Sequence, residues 1–98
     1  MRVQYHPEFI KKLKSVDVRV RKRFRKQIDI FQRDHLDPRL NNHELQREYR
    51  GYRSIDVDND YRAVYEEIGE SEGDLAYFFR LGTHKELYET KIIKIRRK

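Results

Sequence analysis

No cysteine occurs in the 98 residues, which excludes disulfides, thiolate metal sites and a cysteine nucleophile together. Catalysis, if any, falls to His, carboxylates, Tyr, Arg or Lys, and stability to packing alone. No apolar run approaches the roughly 20 residues that span a bilayer, and the start, MRVQYHPEF, lacks an apolar signal region, so a cytoplasmic location is expected. Apolar matter is also scarce: 37% of residues are hydrophobic against 41% charged, too little for a many-layered core. Seven Tyr and five Phe can still fill a thin one. A single two-layer domain over residues 1–98 is the natural solution. The G-x-x-x-x-G-K-[ST] and G-x-G-x-x-G phosphate loops are missing, and the four histidines show no H-x-x-x-H or H-E-x-x-H spacing. Neither a nucleotide cofactor nor a metal is therefore expected.

Charge is distributed unevenly around its net of +6. Residues 1–35 carry 11 Lys and Arg against 4 Asp and Glu, residues 36–90 carry 7 against 13, and residues 91–98 add five more positives. A basic first third and tail suit a polyanion such as nucleic acid, or an acidic protein partner. The run Arg19, Arg21, Lys22, Arg23, Arg25 and Lys26 would equally serve as the solvated face of one helix.

The residue pattern changes period once. Arg2 to Tyr5 alternates as a short strand, and His6-Pro7 opens a helix over Pro7 to Ser15 with Phe9, Ile10 and Leu13 on one face. Val16, Val20, Phe24, Ile28 and Phe31 make a second helical stripe over about residues 16–34, with Asp17 as its cap. Asp37-Pro38 is expected to end the helical region. Tyr52 to Asp58 then alternates, Asn59-Asp60 offers a turn, and Tyr61 to Glu67 continues as strand. Ile68 to Asp74 reads as a turn, and Leu75 to Leu81 as the most apolar strand and hence a central one. Gly82-Thr83 opens a short last helix, while Leu40 to Tyr49 is neither clearly helix nor strand. The expected fold is α+β with the order β-α-α-β-β-β-α. It is an antiparallel sheet of about four strands with two N-terminal helices on one face and a short C-terminal helix.

The acid–base candidates are the histidines and nearby carboxylates. His6 beside Pro7 and His35 at a helix end fit structural roles. His43 and His84 lie in segments flanking the sheet, where functional side chains are often mounted. Arg50, Arg53, Arg62 and Arg80 lie in or beside the expected strands, and their guanidinium forks suit phosphate oxygens or a sheet edge over solvent. The sheet face not covered by the helical pair would then bind RNA by stacking bases and clamping phosphates.

In this setting His43-Glu44-Leu45, Gly51-Tyr52-Arg53, Asp60-Tyr61, Arg80-Leu81-Gly82-Thr83-His84 and Tyr88 resemble, in order and spacing, the RelE/ParE superfamily of type II toxin–antitoxin toxins, and its YafQ-like branch most. Asp60 to Tyr65 also resembles the superfamily's Y-R-x-V-Y strand. Two departures stand out: Asp56 occupies a place where YafQ-like toxins often have histidine, and Tyr61 one where they have tryptophan. The resemblance implies a toxin that enters the 70S ribosome's A site and cuts mRNA without metal or cofactor, the ribose 2′-OH attacking the adjacent phosphate. It implies catalytic roles for His43, Asp60, Arg80, His84 and Tyr88, and RNA contacts for Tyr61, Arg62, Arg53 and Asp56. One of His43 and His84 would be the base, with the other or Asp60 as acid or orienting group. It further implies a cognate antitoxin, and a toxin that is a monomer or part of a toxin–antitoxin hetero-oligomer. The alternatives are a ParE-like inhibitor of DNA gyrase and an inactive homologue that retains antitoxin binding.

Overall fold

The structure is a computed structural model that describes residues 1–70 and 73–89. Its elements run β1 (Arg2–Tyr5), α1 (Pro7–Ser15), α2 (Val18–Arg33), β2 (His43–Glu44), β3 (Tyr52–Asp56), β4 (Tyr61–Glu70), β5 (Gly73–Thr83) and α3 (His84–Glu89). Short 3-10 turns at Pro38–Leu40 and Arg47–Tyr49 flank β2. Local chemistry accounts for the helix starts. His6 caps α1, its Nδ1 accepting from Glu8 N at 2.9 Å with Pro7 in the first turn, and Asp17 caps α2 by accepting from Arg19 N at 2.8 Å.

The α+β class and element order are as expected, with two differences in the sheet. Among the described residues it has five strands in the order β1-β5-β4-β3-β2, and β1 joins β5 in parallel, Tyr5 lying opposite Phe78. The sheet is therefore mixed. No short turn links β1 to β5, so no hairpin dictates an antiparallel pairing, and the parallel one sends the chain directly from β1 into α1. The fifth strand is the two-residue β2, which pairs antiparallel with β3. Two turn expectations shift as well. α2 ends at Arg33, and Asp37-Pro38 starts a 3-10 turn, with Asp37 capping Arg39 N at 2.9 Å. β4 and β5 also extend into the segment expected as a turn, reaching Glu70 and starting again at Gly73.

α1 and α2 cover one face of the sheet. Phe9, Val20, Phe24, Ile28 and Phe31 meet Ile55, Ala63, Tyr65, Phe78 and Leu81 there in one buried cluster. Its rings pack edge-on or tilted, with Phe31–Tyr65 centroids at 5.1 Å and Phe9–Phe24 at 5.4 Å, arrangements that add to plain area burial. A bulge between Val64 and Tyr65 in the β4–β5 register sets Val64 opposite Arg80 and Tyr65 opposite Phe78. Phe79 is the extra residue, and the parity change lets Phe78 and Leu81 face the helices while Arg80 faces the other way.

The second face is not bare. Leu45, Tyr52, Val64, Phe79 and Leu87 form a smaller buried cluster, so α3 lies across this face with Leu87 as its anchor. Gly82 permits the approach, because a Cβ there would come within 2.9 Å of Glu86 Oε1 and 3.4 Å of Leu87 Cδ2. Among the described residues no helix is long and apolar enough to cross a membrane.

Candidate active site

Directly opposed residues of a sheet share a face. The register therefore lays His43, Ser54, Val64 and Arg80 in one row across β2, β3, β4 and β5, on the face opposite α1 and α2. The next row holds Asp56, Arg62 and Gly82, and the chain passes at once from Gly82 and Thr83 into His84. At about 4.8 Å per strand, the Cα atoms of His43 and Arg80 stand about 14 Å apart. Val64, which lies between them, is buried under Leu87 of α3.

His43 reaches this face because its neighbour is tied to the other. Asn42 donates through Nδ2 to the Tyr65 hydroxyl and to His35 O, both at 2.8 Å, and its Oδ1 accepts from Arg53 Nε at 2.9 Å. Tyr65 is fully buried, and burial pushes its phenol pKa up, so it stays a neutral hydrogen-bonding partner. With Asn42 held down, the alternation of a strand turns the exposed His43 ring outward. Its Nδ1 lies 2.9 Å from Asn41 O, at a residue in the left-handed conformation, φ 49°. A carbonyl only accepts, so this contact places the proton on Nδ1 and leaves Nε2 as the acceptor in the neutral ring. Gln27, buried in α2, braces the same region from below by donating to Arg39 O at 3.1 Å and Asp56 O at 2.9 Å.

His84 opens α3 through a reciprocal cap. Thr83 Oγ1 accepts from Glu86 N at 3.1 Å, while Thr83 N donates to Glu86 Oε1 at 2.9 Å. This backbone donation, aided by the Lys12 ammonium 3.3 Å away, lowers the Glu86 pKa and keeps the cap charged. His84 N also donates to Asp60 O at 3.2 Å. As a result His43 and His84, from segments some forty residues apart, line one open cleft of about 610 Å3 with Leu45, Arg47 and Tyr49.

The other expected residues divide between the faces. Arg80 borders a different cleft, of about 390 Å3, with Lys11 and Lys12 of α1 and Glu86 of α3, which shares no lining residue with the histidine cleft. Arg62 and Asp56 are partnered with each other, Nε to Oδ1 at 3.1 Å. Asp60 sits in the β3–β4 turn and lines a separate pocket with Asp17, Arg19 and Tyr61, so it meets His84 through its backbone carbonyl. Tyr61 packs against the helix-side core, and Arg53 pairs across from Tyr65 on that same side. Neither is brought to the histidine cleft. The backbone of Tyr88 belongs to α3, whereas its side chain and residues 90–98 lie outside the described residues.

Arg47, Tyr49 and Glu86 are not among the residues the sequence pattern singles out. Arg47 and Tyr49 line the cleft from a 3-10 turn in the stretch without periodicity, and no local signal marks them. Thr83-His84-Lys85-Glu86 does carry a readable T-x-x-E cap signature. Among the described residues, no three His, Asp or Glu side chains converge as a metal site would require.

Comparison with known proteins fits this architecture. No curated protein matches the sequence. Among solved structures, YafQ from E. coli strain BL21(DE3) is 24% identical, with a TM-score of 0.71 over 90% of this chain and 99% of that one. A YoeB/ParE toxin from Agrobacterium tumefaciens is 16% identical, with a TM-score of 0.67 over 86% of this chain and 99% of that one. The E. coli DinJ-YafQ complex aligns at 23% identity and a TM-score of 0.58, over 90% of this chain and 99% of that one. These likenesses establish the fold. The model of the family described as the bacterial toxin of type II toxin-antitoxin system, YafQ, matches residues 1–89, and the chain accordingly belongs to that family of toxins.

Proposed function

We propose that this toxin is an endoribonuclease that cuts mRNA on the ribosome without a metal. The observation that carries the reading is the meeting of His43 and His84 at one cleft, on the same face of the sheet as Arg80. Two imidazoles and a guanidinium are the set that phosphate transesterification needs. One histidine takes the proton of the ribose 2′-OH as its oxygen forms a bond to the adjacent phosphorus. The bond from phosphorus to the 5′-oxygen breaks, and the other histidine gives that oxygen a proton. The products are a 2′,3′-cyclic phosphate and a 5′-hydroxyl. Arg80 offsets the negative charge that builds on the phosphorane, where fixed donors contribute most.

With the Tyr61 ring on the helix side, Tyr49, which lines the cleft, joins Tyr88 as a base-stacking candidate in this reading. Arg19, Lys22, Arg23, Arg25 and Lys26 of α2 are exposed and suit ribosomal RNA phosphates, which makes ribosome affinity fall with salt. An antitoxin partner is supported by the E. coli DinJ-YafQ complex. The test is translation in vitro with mapped mRNA ends, run beside a gyrase supercoiling assay. Cut, ribosome-bound mRNA with unaffected gyrase is expected; intact mRNA with inhibited gyrase would replace this reading by the ParE-like one.

A further inference from the structure

The resemblance implies an RNA contact for Arg62, and a guanidinium suits phosphate oxygens, yet this one is already committed within the chain. Nη1 donates to Asp58 O at 2.8 Å, Tyr61 O at 3.1 Å and Asn59 O at 3.3 Å. Nε faces Asp56 Oδ1 at 3.1 Å, an ion pair whose N–H is not well aligned for a hydrogen bond, with both side chains mostly sheltered, 22% and 29% exposed. An arginine grips a phosphate with two parallel donors, drawn from either the Nε or the Nη1 side of its fork. Either choice would cost it one of these two sets of partners.

Those partners lead to His84. The turn at Asp58, Asn59 and Asp60 is closed from within by the Asp58 carboxylate, which accepts from Asp60 N at 2.9 Å and Tyr61 N at 2.7 Å. Arg62 gathers the carbonyls of the same turn from outside. The next carbonyl, Asp60 O, accepts from His84 N at 3.2 Å, and Tyr61 pairs across from Thr83, the residue that caps α3. A guanidinium anchored by Asp56 thus holds the turn, and the turn holds the first residue of α3.

We infer that Arg62 is a positioning residue for His84, with Asp56 as its anchoring counter-ion, rather than a phosphate ligand. The role rests on the nuclease reading for its catalytic consequence, but the geometry it describes is present in the free protein. Lysine could not replace Arg62 in it, because a single ammonium cannot face Asp56 and the turn carbonyls in the way a planar fork does.

Two measurements on Arg62→Ala, Arg62→Lys and Asp56→Asn test the inference. In the free protein, amide exchange at His84 is expected to quicken in all three, by at least about fivefold, the size expected when one hydrogen bond is loosened. In ribosome-bound mRNA cleavage, kcat is expected to fall in all three with KM little changed, and Arg62→Lys to behave like Arg62→Ala. Asp56→Asn separates the two roles by sign: a phosphate-binding Arg62 freed of its counter-ion would cleave faster or bind RNA more tightly, whereas a positioning Arg62 works less well. Faster cleavage by Asp56→Asn, or near-normal cleavage by Arg62→Lys with unchanged His84 exchange, would overturn the inference. If the wild-type chain cleaves nothing, the nuclease reading fails while His84 exchange still decides whether Arg62 holds α3. Should Arg62→Ala fail to fold, the two conservative variants carry both readings.

Discussion

Leu87→Ala probes whether α3 is held over the sheet in the way the site requires. A six-residue helix cannot persist in water unaided, and the attachments of α3 can be weighed one by one. The Lys12–Glu86 pair is substantially exposed, 35% and 48%, and such pairs contribute about 0–1 kcal/mol. The Thr83–Glu86 cap is worth about 0.5–2 kcal/mol. Leu87 is fully buried among Leu45, Tyr52, Val64 and Phe79, and truncating such a leucine costs about 2–5 kcal/mol. Burial of this one side chain therefore outweighs the ion pair and the cap. Since α3 can swing away without unsealing the larger core, part of the loss appears as local opening. Urea unfolding should show a lowered midpoint, and hydrogen exchange of the α3 amides should accelerate well beyond that of β4. Ile55→Ala, from the helix-side cluster, gives the contrast of a similar global loss with the difference between α3 and β4 preserved. A Leu87→Ala cost below about 1 kcal/mol, with α3 exchanging at the wild-type rate, would refute the docking of His84 by this anchor.

Gly82→Ala brings a Cβ to within 2.9 Å of Glu86 Oε1, the oxygen that accepts from Thr83 N, so the carboxylate can step aside only by giving up that cap bond; a loss of about 0.5–2 kcal/mol is expected from calorimetry, together with quickened exchange of α3. Asn42→Ala removes a partner from the buried Tyr65 hydroxyl, and chemical denaturation should show a loss of about 1–3 kcal/mol with cleavage falling further than stability explains, since His43 follows directly. Asp37 accepts from Arg39 through side-chain contacts at 2.9 and 3.0 Å and from its backbone N–H, which holds its pKa at about 2 against an ordinary 3.8. A depressed carboxylate pKa stabilises the fold above the ordinary value, and that contribution is lost as pH falls from 3.8 towards 2; melting temperatures of Asp37→Asn should accordingly vary less than wild type across that window.

Much of the helical layer is legible in the chain because helix signals are local. The stripe from Val16 to Phe31 is buried as its spacing requires, and Pro7 and Asp17 mark the helix starts they occupy. Leu75 to Leu81 is central as its apolar run implies, with β1 on one side and β4 on the other. What local pattern does not carry is decided by distant partners. Four residues of β1 contain nothing that selects β5 or a parallel sense. β2 is too short for a period, and Asn42 and Gln27 place its surroundings through bonds to Tyr65, Arg39 and Asp56. The bulge at Phe79 reverses the parity of the strand, so simple alternation from Leu75 misplaces Arg80 and Leu81. For the candidate site, residue type in flanking segments and the resemblance single out His43, Arg80 and His84, and their roles belong to the proposal. Which face the Tyr61 ring covers is not readable, because a tyrosine at a hairpin start carries no sign of it.

His43, His84 and Arg80 are proposed to act together on RNA. Single-turnover cleavage of ribosome-bound mRNA, with the end of the upstream fragment identified by mass and a 2′-deoxy nucleotide placed at the mapped cut, tests this most directly. The expected result is a 2′,3′-cyclic phosphate or the 3′-phosphate it yields, no cut at the deoxy position, and a loss of about 10²–10³ in rate for each of His43→Ala, His84→Ala and Arg80→Ala at unchanged melting temperature. Cleavage that persists at the deoxy nucleotide, or near-normal rates in the folded histidine variants, would contradict it.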